Sequence, residues 1–190
     1  MTLAYETFAP ADWQIPIIIS APHVGTELPL HVRDALNPDI AMQLPDTDWF
    51  VDQLYDFSSA IGAHLIKARY SRYVIDLNRP VEGPSLYTDA RRQTEFVPTT
   101  SFEGVPLYKE GYVLDDAEKQ KRIDLYYRPY YEELHQQIDL ALAKFGRVLL
   151  WDAHSIKRHV QSIQAASPAF TAAQLQEFMQ CSLRCRRTFT

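Results

Sequence analysis

The sequence predicts an α/β fold built on a largely parallel sheet, and three observations carry that prediction. Short apolar runs recur at 14–20, 63–68, 73–77 and 147–151. Segments with apolar residues at helical spacing stand between them, the alternation that gives a parallel sheet with crossover helices. Three of the runs lead directly into His23, Asn78-Arg79 and His154, and such sheets gather ligands beyond the carboxyl ends of their strands.

Each element has a local reason. Residues 14–20 are rich in isoleucine, and Ala21-Pro22-His23-Val24-Gly25 ends the strand because proline cannot donate to a ladder. A helix is expected from about Leu28. Pro45-Asp46-Thr47-Asp48 supplies helix-start residues, after which Phe50, Val51, Leu54, Tyr55 and Phe57 recur at helical spacing up to Gly62. Residues 63–68 and 73–77 read as two further strands, the second breaking at Asn78-Arg79-Pro80. Residues 84–111 read as one long loop, a length that in a compact domain usually serves function. Asp115-Asp116 can cap a long amphipathic segment with a stripe from Ile123 through Tyr130 and Leu134 to Phe145, kinked or split at Pro129. Gly146 fits its C-terminal cap, and 147–151 is the last strand.

Totals narrow the function. At 190 residues and 46% hydrophobic content the chain is expected to bury one core as a single domain. No apolar run approaches the roughly 20 residues of a membrane helix, and MTLAYETFAP has no signal-peptide pattern, so a cytoplasmic location is expected. The formal charge of -5 argues against non-specific nucleic-acid binding. Cys181 and Cys185 are the two cysteines, which gives no disulfide framework and fits a reducing compartment. Composition changes near the C-terminus. From His159 to Thr190 there is no Gly, Asp, Asn, Tyr, Trp or Lys, and three arginines face one glutamate.

The chemistry-bearing residues cluster by position. His23 and His154 follow two buried runs, and a carboxylate source, Asp46 or Asp48, opens the helix between them. Two imidazoles and a carboxylate, with a fourth position open to water, form the ligand set of a catalytic zinc. Such a zinc brings the pKa of its water to about 7 and polarises a carbonyl, the two needs of amide hydrolysis. Plainer roles compete: Asp46 or Asp48 can cap the helix, and a histidine can satisfy loop carbonyls, the role assigned to His31, His64, His135 and His159. Asp152 can orient a ligand imidazole through its other nitrogen. Arg79, between an apolar run and Pro80, sits at a rigid corner where a guanidinium fork suits a substrate carboxylate. Ser155 adjoins His154, but no G-x-S-x-G elbow surrounds it, which argues against serine catalysis. CSLRC lacks the second ligand pair of a metal site.

SAPHVGTELP, LPDTDWFVDQLYDF, YSRYVIDLNRP and LLWDAHSI, together with LYYRPYYEELHQQI, resemble the N-formylglutamate amidohydrolase (deformylase) family over about residues 5–158. The resemblance implies a three-layer α/β/α fold with a mostly parallel mixed sheet, like zinc carboxypeptidases and other phosphorylase/hydrolase-like folds. It implies a zinc hydrolase that cleaves N-formyl-L-glutamate to formate and L-glutamate in histidine degradation. Zinc ligation carries over to His23, His154 and an acid assigned as Asp48 ahead of Asp46. Asn78 and Arg79 take the substrate α-carboxylate, and Arg79 helps the metal stabilise charge. Asp152 is placed in the catalytic surroundings and Ser155 toward the substrate. The family pattern stops after Arg158: the LELS-like strand whose glutamate is the expected general base has no counterpart. Residues 1–158 are therefore read as an incomplete family domain and 159–190 as a non-family tail from an altered reading frame, with impaired activity expected. The other readings are a non-catalytic zinc-binding remnant and a deacylase of another N-acyl amino acid.

Overall fold

The computed structural model describes residues 3–81 and 95–156. Four strands form one mixed sheet: β1 (Tyr5–Phe8), β2 (Ile17–Ala21), β3 (His64–Ala68) and β4 (Leu149–Asp152), in the order β1-β3-β2-β4. The β2 strand lies parallel to both β3 and β4, and β1 pairs antiparallel with β3. Its residues Ile18, Ile19 and Ala21 are almost wholly buried, as a central parallel strand covered on both faces requires. Ile18 and Ile66 face the larger core, which holds Val32 of α1 (Leu30–Ala35), Ile40 of α2 (Pro38–Gln43) and Tyr130 and Leu134 of α5 (Arg128–Phe145). Ile19 and Leu65 face a smaller core with Val51 of α3 (Val51–Leu54) and Ala153. Among the described residues β4 is an edge strand whose Leu149 and Trp151 are each about half exposed.

The expected strands at 14–20, 63–68 and 147–151 form, each within a few residues of its expected bounds, and the helix expected from Leu28 begins at Leu30. The β1 strand escapes the sequence pattern because it is a short, half-exposed edge. Its Glu6 instead reaches Lys67 and Arg69 on or next to β3. Asp115 caps α4 (Asp116–Arg122) by accepting from the Glu118 N–H at 2.8 Å. The break anticipated at Pro129 takes the form of a π-helical turn, Ile123–Tyr127, just ahead of it. Pro129 then follows the π turn inside a helix that runs unbroken from α4, and the widened turn accommodates its ring and its missing N–H. Gly146 closes α5 in a left-handed conformation (φ 70°), its N–H returning to the Leu142 carbonyl.

Residues 73–77 are not a strand, contrary to the apolar run. They form a buried turn whose polar groups are met by side chains and by loop backbone, the Val74 N–H donating to the Ser71 carbonyl and the Asp76 N–H to the Phe96 carbonyl, and not by a neighbouring strand. Arg122, fully buried, donates to the Tyr73 and Val74 carbonyls at 3.4 and 3.2 Å, and Ser71 Oγ accepts the Tyr73 N–H. A continuous apolar run marks burial but not conformation, and a buried arginine can replace the ladder. Arg122→Met should therefore lower unfolding stability by about 3 kcal/mol, since two buried carbonyls lose their donor. Urea denaturation checks this; a change below about 0.5 kcal/mol would mean that water replaces the guanidinium.

The described part of the long loop, 95–111, has no helix or strand, only isolated bridges such as Leu36 to Tyr108. It is anchored by buried Val97 and Leu107. No helix among the described residues is long and apolar enough to cross a membrane. Residues 157–190, with both cysteines, lie outside the described residues.

Candidate metal centre

His23 leaves the carboxyl end of β2 and His154 that of β4, so parallel pairing of these strands sets the two imidazoles side by side, ring centroids 4.8 Å apart. The loop after His23 continues alongside the chain beyond β3 through a bridge between Glu27 and Tyr70. Gly25 makes that approach feasible: a Cβ there would lie 2.2 Å from the Tyr70 carbonyl oxygen. Asp48 arrives from the opposite side, its backbone N–H donating to the His23 carbonyl. Its loop is bracketed by Leu44 and Phe50, two non-glycine residues at positive φ (44° and 67°), conformations that cost free energy and persist where packing fixes them.

Asp48 Oδ2 lies 3.1 Å from His154 Nδ1 and 3.8 Å from His23 Nδ1. One donor atom from each of His23, Asp48 and His154 falls within 4.8 Å of the others, a spacing that a single metal ion can bridge. Each imidazole uses its remaining nitrogen on another carboxylate. His23 Nε2 is 2.7 Å from Asp76 Oδ1, and His154 Nε2 is 2.9 Å from Asp152 Oδ2. This carboxylate–histidine pairing fixes ring orientation and raises ligand basicity. Asp46 turns elsewhere, accepting the Phe102 N–H, so of the two candidate acids Asp48 is the one brought to the histidines.

Electrostatics favours a cation here. Burial and the Arg72 guanidinium keep the His23 imidazole below its usual range against the pull of Asp76, which leaves it neutral and able to ligate. Burial also pulls His154 down, but the hydrogen bonds and charges of Asp152 and Asp48 prevail and push it up to about 9. Burial raises Asp48, yet its contacts with His154 and His23 outweigh that and hold it low. Asp76, though wholly buried, is held well below the carboxylate range by His23 and Arg72. Asp48 and Asp76, both held low, thus face the Arg72 guanidinium and a His154 ring that carries a proton in the absence of metal, and a divalent ion would take the place of that proton.

The other expected residues are accounted for. Asn78 Nδ2 lies 3.3 Å from His154 Nε2, Arg79 Nη1 donates to the Asn78 carbonyl, and Ser155 Oγ donates to Asp48 Oδ1 at 3.3 Å. His31 pairs with Glu118 and His64 packs on Trp13, both away from the site. Arg72 and Asp76 were not singled out from the sequence. The available signal is their i,i+4 spacing inside an apolar run, since a charge buried there requires a partner.

Two imidazoles at the carboxyl ends of parallel strands and the Asp48 carboxylate from the loop before α3, with His154 a quarter exposed, offer a metal ion the two-nitrogen, one-oxygen donor set that catalytic zinc sites use. The sequence profile of the N-formylglutamate amidohydrolase family matches residues 15–187, and the chain belongs to that family. It is 46% identical over 147 residues to the N-formylglutamate deformylase of Pseudomonas putida and 43% identical to that of Pseudomonas aeruginosa. Each alignment covers 77% of this chain and 54% of the relative, so the chain spans about half their length. The crystal structure of N-formylglutamate amidohydrolase from Ralstonia eutropha superposes with a TM-score of 0.67 at 26% identity, covering 82% of this chain and 59% of that one. An Agrobacterium tumefaciens gene product shares the fold at a TM-score of 0.63 and 24% identity, over 81% of this chain and 57% of its own. The family match runs past Arg158, into the segment of altered composition.

Proposed function

We propose that this chain carries the zinc site of an N-formyl-L-glutamate hydrolase, which converts N-formyl-L-glutamate and water to formate and L-glutamate. The observation that carries this reading is the His23–Asp48–His154 cluster with a carboxylate behind each imidazole. Borderline zinc favours two nitrogens and one oxygen in this arrangement. When bound, it would supply the Lewis acidity that amide hydrolysis needs at neutral pH. The chain's own residues do the rest: Asp76 and Asp152 orient the imidazoles, and Asn78 and Arg79 take the substrate α-carboxylate. The wider family architecture, a three-layer α/β/α sandwich, belongs to the same proposal.

A second reading, metal binding without turnover, has a specific support. Among the described residues, the carboxylates that reach the cluster, Asp48, Asp76 and Asp152, each already lie against an imidazole nitrogen. The discriminating experiment is formate release from N-formyl-L-glutamate with added zinc, beside deacylation of N-acetyl amino acids. Turnover of the formyl substrate supports the first reading. Stoichiometric zinc with no turnover supports the second, and preference for an acetyl substrate reassigns the acyl group.

Arg79→Ala should raise KM about 10- to 100-fold, the loss of a charge-assisted contact, while zinc content stays unchanged. If zinc and KM suffer together, Arg79 supports the fold and does not hold substrate.

A further inference from the structure

Behind His154 a line of hydrogen bonds continues into the core. Asp152 Oδ1, the oxygen not facing His154, lies 3.2 Å from Ser20 Oγ, and Ser20 Oγ lies 3.0 Å from the Tyr130 hydroxyl. Ser20 and Asp152 are register partners across β2 and β4, so the sheet itself fixes this contact. Ser20 is 4% and Tyr130 1% exposed. The direction of the line follows from donor inventory. Ser20 Oγ donates its one proton to Asp152 Oδ1, so it must accept from Tyr130. Asp152 Oδ2 then accepts the Nε2 proton of His154, which leaves Nδ1, 3.1 Å from Asp48, as the nitrogen able to ligate.

The two arms of the site differ in how they are anchored. Asp76 behind His23 is tied by the Arg72 guanidinium and the Asn78 N–H. Asp152 behind His154 has a neutral anchor that ends on helix α5. The π-helical turn ahead of α5 adds a residue to one turn, and Arg122 before it and Tyr130 after it both point into the core.

We propose that Ser20 and Tyr130 are positioning residues for the metal centre: the line Tyr130–Ser20–Asp152 holds the His154 ring in its ligating orientation and tautomer. This rests on the metal-site reading above. Neither side chain touches substrate or metal; both act through Asp152. Loss of an outer partner of a ligating histidine costs about 10- to 100-fold in metal affinity, and the links beyond it should cost progressively less.

The test is a double-mutant cycle read in zinc affinity, by competition with a chromogenic chelator, and in the visible absorption of the cobalt-substituted protein. Ser20→Ala should weaken zinc about 10-fold and Tyr130→Phe about 3-fold, with both shifting the cobalt bands. The double variant should be no weaker than Ser20→Ala alone, because Tyr130 acts only through Ser20. Tyr130→Phe removes a single oxygen, and its thermal midpoint reports whether the fold is kept. Parent-like zinc affinity and cobalt spectra in both variants would overturn the proposal, as would strictly additive losses. Zinc binding by the parent without formate release sinks the functional reading and leaves this one standing. A parent that holds no zinc overturns both.

Discussion

His154→Ala is expected to abolish stoichiometric zinc binding. The number of donors left decides the outcome. In the proposed site His154 would supply one of three protein ligands, and Asp152 would act on the metal through it. Losing an outer partner alone costs about 10- to 100-fold in affinity, so loss of the ligand together with its partner must exceed that. Asp48 would lose its 3.1 Å contact and keep the Ser155 hydroxyl and the longer contact to His23. Asp152→Asn provides the calibration, since it retains the imidazole but not the carboxylate that orients it. Metal content after dialysis, measured on parent, His154→Ala and Asp152→Asn, should fall in the order parent, Asp152→Asn, His154→Ala. Stoichiometric zinc in His154→Ala would remove His154 from the site and reopen the choice of ligands.

That His23, Asp48 and His154 come together was legible in the sequence, whereas several buried contacts around them were not. His23 and His154 announce themselves because each interrupts the end of an apolar run, and that position is set by strand direction alone. Asp48 came ahead of Asp46 only through the family resemblance: the two flank the same helix start, and three-dimensional placement separates the one that receives the Phe102 N–H from the one that reaches the imidazoles. The turn at 73–77 was misread for a related reason. Its apolar residues signal burial correctly, but the arginine that satisfies its carbonyls lies about fifty residues away, at 122, and no local pattern reveals it. Ser20 and Tyr130 were hidden in the same way. One looks like a strand residue and the other like part of a helical stripe, and their contact spans 110 positions. Periodicity shows which residues are inside, not which buried polar groups meet.

Asp76→Ala should be the most destabilising substitution near the site. Asp76 is fully buried and its two oxygens serve three donors: His23 Nε2 at 2.7 Å, the Asn78 N–H at 2.9 Å and the Arg72 guanidinium. The substitution strands Arg72, itself only 5% exposed, with the Phe102 ring at 4.3 Å and His23 Nδ1 at 3.4 Å as remaining neighbours. Neither neutralises a buried charge. Breaking such a pair from one side costs about 3–5 kcal/mol, a large share of the 5–15 kcal/mol that holds an ordinary domain together. For a chain of this size that is a fall of roughly 10 °C in the thermal midpoint. The double variant Asp76→Ala/Arg72→Met distinguishes causes. If the cost comes from the stranded guanidinium, removing it should recover much of the stability, even though His23 still lacks its partner. Stability recovered without zinc affinity would then separate the two duties of Asp76: balancing Arg72 in the core, and aiming His23 at the metal. An Asp76→Ala midpoint within a degree or two of the parent would show instead that water enters and solvates Arg72, and that the buried ion pair contributes little to the fold.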